Sequence, residues 1–327
     1  MKQGKLTSAQ LKKHVLDQIV PGNAETVLGA GIGEDCCAVD TGDVCVISTD
    51  PITAADHQVG ALAIHINAND IAAAGAQPIA ALVTILIPSS SSIEQVDDVM
   101  QELTETAAEL GIDITGGHTE VTDSVNRIVV SVTMIGKPVV RGKIVKTADM
   151  RVGDQLIMTK CAGIEGTLII ARDYETDLAG VLDDVDRALA FGLQAQLSVV
   201  REGTLAAGLE GVSAMHDITE GGVKGAICEM CEAAGVGAEI NLDKIPVLDV
   251  TRKICEYYDI DIYSLISSGS MLIAAQNGED VAEVLTSAGI QATIIGRVTE
   301  GGVRDASTGQ EIIAQSADAL YGVVGNN

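Results

Sequence analysis

The chain contains no tryptophan, one phenylalanine and five tyrosines in 327 residues, so aromatic side chains cannot dominate its core. Its hydrophobic content is nevertheless 47%, which is too high for a chain that remains disordered. Alanine, valine, isoleucine and leucine must therefore build the core. The length is compatible with one large domain or two domains of ordinary size.

Long hydrophobic runs are also missing. The longest, at residues 79–87, falls far short of the ~20 residues that a membrane-spanning helix needs. The first residues, MKQGKLTSAQLKKHV, contain no apolar segment of the signal-peptide type. Seven scattered cysteines, an odd number, do not indicate a disulfide scaffold. These observations predict a cytoplasmic protein that does not associate with a membrane.

Basic residues are scarce, with 20 lysines and arginines against 46 aspartates and glutamates and a formal net charge of −26. A surface this acidic repels a phosphate backbone, so nucleic-acid binding is not expected. A phosphorylated ligand would need metal ions and backbone amides to balance its charge. Most exposed carboxylates are expected only to keep the protein in solution.

Short strand-like runs alternate with helical segments, and a turn-rich stretch near residue 150 divides them into two series. In the first half the pattern predicts strands at 43–50, 79–87, 112–115 and 127–136, and helices at 58–77 and 92–110. The second half continues the alternation, with predicted helices that include 166–173, 184–202 and 222–234. The pattern predicts an α/β protein with an N-terminal domain at 1–150 and a C-terminal domain at 151–327.

Six polar turns at or near predicted strand ends carry the residues capable of phosphate or metal chemistry. The first is GAGIGED at 29–35, where Gly31 and Gly33 let the backbone bring N–H groups close to a phosphate. It lacks the Gly-Lys-Ser/Thr of a Walker A loop and the preceding strand of a dinucleotide fingerprint. On its own it is equally compatible with a flexible loop.

Two more of these segments supply carboxylates. Asp50 ends a predicted strand, and Asp70 follows Asn67 and Asn69 in an otherwise apolar helix. Buried polar side chains need partners, so a polar network inside the core is one interpretation. The other is that Asp35, Asp50 and Asp70 are oxygen ligands for Mg²⁺, which proteins usually hold with carboxylates and substrate phosphates.

The remaining turns are TGGHTE at 115–120, MHDITEGG at 215–222 and SSGSM at 267–271. The second of them precedes a predicted helix whose N-terminal amides can face an anion. Each alone is an ordinary turn. Together, the six predict a phosphate-and-metal site at the ends of the strands.

The cysteines offer a weaker signal. Cys228 and Cys231 form the one CxxC pair, inside a predicted helix and without a second pair or nearby histidines. We interpret them as small buried hydrophobic residues and not as zinc ligands. The adjacent Cys36 and Cys37 are expected to pack like the alanines around them.

The order of these motifs resembles one family. GIGEDCCAV, STDPI, NANDIAAAGAQP, GGHTEVT, HDITEGGV and SSGSML follow one another as in the ATP-dependent superfamily of aminoimidazole ribonucleotide (AIR) synthase. That superfamily includes selenophosphate synthetase, thiamine-monophosphate kinase and the hydrogenase maturation factor HypE. The motifs look most like those of HypE and of AIR synthase-related proteins. The resemblance extends from residue 5 to residue 303.

The resemblance implies a two-domain PurM-like fold of the α/β (α+β) class. The N-terminal, ferredoxin-like half pairs with that of a second subunit in a dimeric, barrel-like core, and the C-terminal half is α/β. ATP lies in the cleft between the halves, under the glycine-rich segment. The implied assembly is a homodimer.

Carried over position by position, the resemblance assigns roles to single residues. His118 stands where several relatives have an acidic metal ligand, so Glu120 is the substitute for that role. Catalytic roles are implied for Asp70, Asp217 and His118. The implied metal ligands are Asp35, Asp50, Asp70, Glu120 and Asp217. The implied ATP contacts are Gly31, Gly33, Asn69, Gly116, Gly117, Thr219, Gly221, Gly222 and Ser268.

The implied function is activation of a substrate oxygen by the γ-phosphoryl group of ATP with Mg²⁺, in a dehydration or a ligation. The substrate, a small molecule or a protein-borne group, is not identified by the sequence. Two alternatives stay open. One is a nucleotide-binding accessory or regulatory protein without turnover, and the other is a small-molecule kinase of the thiamine-monophosphate kinase type.

The sequence also departs from these relatives. HypE carries its carbamoyl group on a C-terminal cysteine, whereas no cysteine follows Cys255 here. Thr219-Glu220-Gly221 replaces the Ser-Asp-Gly typical of thiamine-monophosphate kinase. We therefore expect that this protein does not carry a carbamoyl group on itself.

Overall fold

The computed structural model describes residues 8–9, 12, 26–28, 31–34, 36–40, 42–53 and 57–324. Within them the chain forms two six-stranded sheets, one in each half, with helices packed on both. This mixed α/β architecture confirms the predicted fold class. None of the described helices is long and apolar enough to cross a membrane.

The N-terminal sheet has the strand order β1-β2-β3-β6-β4-β5, and β5 lies at its edge. Neighbouring strands are antiparallel except for β4 and β5, which run parallel. Its strands are β1 Thr26–Leu28, β2 Cys37–Asp40, β3 Val44–Ile52, β4 Ala76–Ile87, β5 Asp113–Val121 and β6 Val129–Pro138.

Two helices, α1 (Val59–Ala73) and α2 (Ile93–Leu110), cover one face of this sheet. Every residue of α1 except Ile66 is buried, because the helix is enclosed by the sheet, by α2 and by the C-terminal half. Helix α2 is amphipathic. It begins at a Ser92 capping box and ends at a left-handed Gly111, close to the predicted bounds.

The C-terminal sheet has the order β12-β9-β11-β7-β10-β8. One face packs against α6, and the other packs against α5, α8 and the end of α1. Its strands are β7 Gln155–Thr159, β8 Val212–Ile218, β9 Gly237–Ile240, β10 Ser270–Ala275, β11 Ala292–Thr299 and β12 Val303–Asp305. Its helices are α3 Ile164–Asp173, α4 Asp184–Gly192, α5 Val200–Ala207, α6 Gly222–Ala234, α7 Asp249–Tyr258, α8 Gly278–Ser287 and α9 Leu320–Val324.

The two halves share a core along α1. Ile164 and Leu168 of α3, with Leu197 and Val200 near the start of α5, pack into the same hydrophobic cluster as the N-terminal sheet. Burial of these aliphatic side chains stabilises the junction, which holds the walls of any cleft between the halves in fixed positions.

Three predicted elements differ from the structure by more than a small shift of their bounds. The helix predicted at 58–77 ends at Ala73, and residues 76–77 already belong to β4. The strand predicted at 112–115 continues as β5 through the GGHTE segment to Val121. The helix predicted at 184–202 is divided into α4, a short 3₁₀ turn at Leu193–Gln196 and the beginning of α5.

Candidate active site

A cavity of about 180 Å³ opens between the two halves. Several residues singled out from the sequence line it, although they come from distant parts of the chain. The polar lining residues of the N-terminal half are Asp50, Thr53 and Asp70. Those of the C-terminal half are Glu165, Thr219, Glu220, Ser268 and Asp318, with Tyr321 beside them. The cavity therefore unites residues of four of the six sequence motifs.

Asp50, in β3, and Asp70, in α1, both line the cavity. Ser48, two residues before Asp50 on the same face of β3, donates its hydroxyl hydrogen bond to Asp70 Oδ2. The Asn67 side chain accepts from Asp50 N at 2.8 Å and donates to Asp50 O at 3.2 Å and to Ala63 O at 2.9 Å. The Asp70 carboxylate is thus held by a buried hydrogen bond, and the backbone of Asp50 is held by the Asn67 side chain.

Asn69 lies outside the cavity lining. Its Nδ2 donates to Leu197 O at 2.8 Å, and its Oδ1 accepts from Val199 N at 2.7 Å. The side chain is fully buried. The polar network that the sequence offered as one interpretation of this segment is therefore present, and Asn69 uses its amide to join the halves.

Asp217 is buried near the end of β8, with 1% of its surface exposed. Side chains alternate along a strand, so Asp217 shares a face with Met215, which packs with Ala73 of α1. That face is the one turned to the helix that carries Asp70. On the opposite face, His216 Nε2 lies 3.1 Å from Glu229 Oε2 of α6.

The turn before α6 is built on Gly221 and Gly222, both in left-handed conformations with φ of 89° and 61°. A Cβ on Gly222 would lie 2.7 Å from the carbonyl oxygens of Tyr263 and Leu265, so no larger residue fits. Gly221 N donates to Asp318 Oδ2 at 2.6 Å. The turn is thereby fixed beside Thr219, which lines the cavity.

Glu165 and Asp318 also line the cavity, although neither belongs to a motif singled out from the sequence. Burial raises the pKa of Glu165 to about 7 and that of Asp318 to about 6. A glutamate inside the apolar stretch GIEGTLII was a usable signal for Glu165, because an unpaired acid is rare in a buried helix. Asp318, in the sequence SADAL, gave no comparable signal.

The GGHTE segment lies elsewhere. Gly116, Gly117, His118 and Glu120 belong to β5, which is three strand spacings from β3, a distance of roughly 14 Å. His118 Nε2 and Glu120 Oε2 are 3.3 Å apart, and both side chains are exposed. Within one chain they do not join Asp50 and Asp70 at the cavity.

The backbone at position 117 accommodates only glycine. Its φ is 149°, and a Cβ there would collide with the carbonyl oxygen of Val83 on β4. The pairing of β4 with β5 also shifts register just before the glycine pair, between Ala81 and Leu82. Glycine lets the edge strand pass this irregularity.

The glycine-rich N-terminal segment is described in part. Gly33 lies against α6, where an added Cβ would be 3.2 Å from Glu229 O and 3.3 Å from the Cβ of Ala233. Gly31 precedes it in the same turn. Asp35 lies outside the described residues, so its predicted metal role stays a prediction.

The donors at the cavity suit a hard cation that retains other ligands. Among the described residues, no group of three or more histidine, cysteine, aspartate or glutamate side chains is placed to hold a metal. Asp50 and Asp70 can contribute carboxylate oxygens, and Mg²⁺ is commonly bound by one or two carboxylates together with phosphates and water. This donor set fits a Mg²⁺–nucleotide complex better than a metal held by the protein alone.

Four of the described cysteines are unsuited to nucleophilic roles. Burial raises the pKa of Cys161 to about 11 and those of Cys231 and Cys255 to about 12, and it also raises the pKa of Cys228. Cys231 is buried in α6, as expected for a small hydrophobic residue, whereas Cys228 is partly exposed.

Comparison with known proteins identifies both halves. The model of the AIR synthase related protein, N-terminal domain, matches residues 33–137, and that of the C-terminal domain matches residues 151–306. A "Putative hydrogenase expression/formation protein" of Methanocaldococcus jannaschii is 28% identical over 314 residues, covering 89% of this chain and 88% of that protein.

Carbamoyl dehydratase HypE of Escherichia coli is 29% identical over 274 residues, or 80% of this chain and 78% of HypE. A crystal structure of E. coli HypE superposes with a TM-score of 0.74 over 87% of this chain and 92% of that chain, at 26% identity. A HypE structure in complex with ATP shares the fold at a TM-score of 0.71 and 18% identity, covering 97% of each chain. With both of its halves matched in order, this chain belongs to the AIR synthase related family.

Proposed function

We propose that this protein uses MgATP in the cavity between its halves to phosphorylate, and so activate, an oxygen of its substrate in a dehydration or ligation. The chain is an enzyme of the AIR synthase superfamily, whose members among its relatives use ATP. The observation that carries the proposal is the meeting of Asp50 and Asp70 with Thr219 and Ser268 around one cavity.

Asp50 and Asp70 would hold the Mg²⁺ that accompanies ATP. Each is fixed by a contact that does not need the metal, Asp70 by Ser48 and the Asp50 backbone by Asn67. Positioning of this kind is the main contribution of a protein to phosphoryl transfer, because the metal neutralises the triphosphate and aligns it for attack. Without a cation, the same carboxylates would repel ATP.

The C-terminal half would complete the nucleotide site. Asp217 lies buried on the face of β8 turned towards α1 and does not line the cavity, so its role as a further metal ligand or catalytic carboxylate stays a prediction. Thr219 and Ser268 offer hydroxyl groups to the bound ligand, and Gly221 and Gly222 allow the close turn that presents Thr219. Gly31 and Gly33 would cover the phosphates from the N-terminal side.

We also infer a homodimer. All nine residues of β5 except Ile114 are exposed, and the face of the N-terminal sheet away from α1 presents Leu82 of β4 to solvent. An uncovered edge strand and an uncovered sheet face both favour pairing with a second copy. In such a dimer, Gly116, Gly117, His118 and Glu120 could reach the nucleotide site of the partner.

The pathway is proposed on the same basis. Relatives named as hydrogenase formation proteins and as carbamoyl dehydratase support a role in metal-centre maturation or in an analogous dehydration. The six described thiols are all free, which fits a reducing, cytoplasmic compartment. Because the cysteines with raised pKa values are poor nucleophiles, the activated group would belong to a separate substrate.

Calorimetric titration with ATP tests the site without knowledge of the substrate. We expect binding with Mg²⁺ and little heat in excess chelator. Asp70→Asn should weaken MgATP binding at least about tenfold, the loss of one charge-assisted contact. Asp97→Asn, on the exposed side of α2, should bind as the wild type does.

Two results would count against the proposal. Equal ATP affinity with and without divalent metal would remove the role assigned to the carboxylates. Tight MgATP binding without phosphate release, in the presence of every candidate substrate from a metabolite screen by thermal shift, would favour the accessory-protein alternative.

A further inference from the structure

One wall of the cavity carries more negative charge than a magnesium–nucleotide complex requires. Glu165, Glu220 and Asp318 line the side formed by the C-terminal half, opposite Asp50 and Asp70. Among the described lining residues there is no lysine, arginine or histidine. Five carboxylates therefore share one cavity, and no described basic side chain lines it to balance them.

Glu165 is the unusual member of this wall. Only 3% of the residue is exposed, and Glu165 Oε2 has no hydrogen-bond partner within the described residues. Burial is the main reason that the pKa of Glu165 is raised. Hydrogen bonding from Ser268 lowers this pKa, and the negative charges of Asp318 and Glu220 raise it further. A buried acceptor without a partner is costly, which points to a donor supplied by a ligand.

Asp318 contributes charge in a fixed place. Its Oδ2 accepts from Gly221 N at 2.6 Å, and its Oδ1 accepts from Ile266 N at 3.1 Å and from Leu320 N at 2.8 Å. These bonds tie three separate segments together around one carboxylate. Since the carboxylate cannot swing away, it remains beside Glu165 and Glu220 whether or not a ligand is present.

Aliphatic side chains also line the cavity beside these acids. Ile66 of α1, Ile169 of α3, Ile266 and Leu320 lie around the acids. The cavity therefore offers aliphatic surface next to concentrated negative charge. A ligand that matches both features has a cationic group attached to an apolar body.

We propose that the substrate carries a cationic nitrogen group, an ammonium or an amidinium, which donates to Glu165 between Asp318 and Glu220 while its apolar part packs on Ile66 and Ile169. This inference rests on the proposed function, because it takes Asp50 and Asp70 for the metal–nucleotide side. A second metal is disfavoured, since the described acids form no group of three placed to hold one.

The test uses the full-length chain and three probes of similar shape. Benzylamine and benzamidine are cationic at neutral pH, and benzyl alcohol is their uncharged counterpart. By calorimetry we expect both cations to bind at least about tenfold more tightly than the alcohol, as one charge-assisted hydrogen bond predicts. Saturating MgATP should leave this preference in place.

Variants then assign the preference to Glu165. Glu165→Gln keeps the shape of the side chain and removes its charge, so it should weaken binding of both cations about tenfold and leave that of benzyl alcohol unchanged. Glu256→Gln, at an exposed position of α7, is the matched control and should behave as the wild type does. Circular dichroism of each variant checks that it is folded.

The outcomes separate this inference from the proposed function. If the wild type binds MgATP but binds the two cations no more tightly than benzyl alcohol, the inference alone is overturned. If it binds the cations but not MgATP, the proposed function alone is overturned. Displacement of benzylamine by Mg²⁺ without nucleotide, with Glu165→Gln abolishing Mg²⁺ binding, would make the wall a metal site. Tighter binding of a lysine-containing tripeptide than of benzylamine would identify the cation as protein-borne, and weaker binding would identify a small molecule.

Discussion

Lys160 and Glu202 form an ion pair of 2.7 Å buried at the end of β7, with 16% and 3% of their side chains exposed. Lys160 Nζ also donates to the carbonyl oxygens of Gln196 at 3.0 Å, Ser198 at 2.6 Å and Gly269 at 2.8 Å. One ammonium group therefore fixes both the segment before α5 and the turn that presents Ser268 to the cavity.

Replacing Lys160 should strongly destabilise the protein. Lys160→Met leaves Glu202 buried without its counter-charge, and we expect a loss of about 3–5 kcal/mol in the free energy of unfolding, measured with urea. The double variant Lys160→Met/Glu202→Leu removes both charges and should recover most of that loss. A cost below about 1 kcal/mol for Lys160→Met, the value of a surface pair, would contradict the buried role.

Asn69 provides a test between a structural and a nucleotide-binding role. Asn69→Ala leaves Leu197 O and Val199 N buried without partners, so we expect a destabilisation of about 2 kcal/mol or more. In the folded fraction, the dissociation constant for MgATP should be unchanged. Asn126→Ala, at an exposed position, is the control. A large loss of MgATP affinity with unaltered stability would instead place Asn69 at the nucleotide.

The raised pKa of Glu165 predicts how stability depends on pH. Burial raises this pKa from 4.5 to about 7, so between these values the folded state binds more protons than the unfolded state. Stability contributed by the protonated carboxyl is fully present below pH 4.5 and is lost as the pH rises to 7. The difference corresponds to about 3 kcal/mol.

Glu165→Gln removes that loss. At pH 8 the variant should be more stable than the wild type by up to about 3 kcal/mol, and at pH 4.5 the two should be nearly equal. Urea unfolding at a series of pH values measures the difference. Asp318, whose pKa burial raises to about 6, is present in both proteins and cancels in the comparison. A difference that stays constant over this range would contradict the assignment.

The proposed homodimer makes a simple prediction for light scattering. We expect a mass of twice 33.7 kDa for the wild type at micromolar concentration. Leu82→Lys places a charge on the uncovered face of the N-terminal sheet, where Leu82 is 43% exposed, and should yield a monomer. Val185→Lys, at a position 67% exposed on α4, should remain dimeric. A monomeric wild type would exclude the dimer.

Local signals were sufficient where an element is stabilised by its own residues. Helix α2 was predicted within one residue at its N-terminus because its apolar stripe lies between Ser92 and Gly111, and each caps the helix by a local contact. Gly75, with a φ of 75°, lies between α1 and β4 and allows the turn that joins them. These features depend on residues close together in the sequence.

Elements whose backbone bonds go to distant partners were predicted less well. The segment 184–202 is helical in pattern, yet Asn69 and Lys160 take the backbone groups of residues 196–199 and interrupt it. Strand β5 runs beyond the glycines because β4 pairs with it through Val121. Neither partner is near in sequence, so periodicity alone could not reveal the outcome.

By itself, the sequence determined the aliphatic core, the alternation of strands and helices, and the order of acidic and glycine-rich motifs that marks the family. Only the tertiary structure decided which acids meet. It joins Asp50 and Asp70 with Glu165 and Asp318 around one cavity, because α1 and α3 pack against each other at the junction of the halves. It also separates His118 and Glu120 from them on an outer strand, since strand order in a sheet is set by long-range pairing and not by the spacing of motifs along the chain.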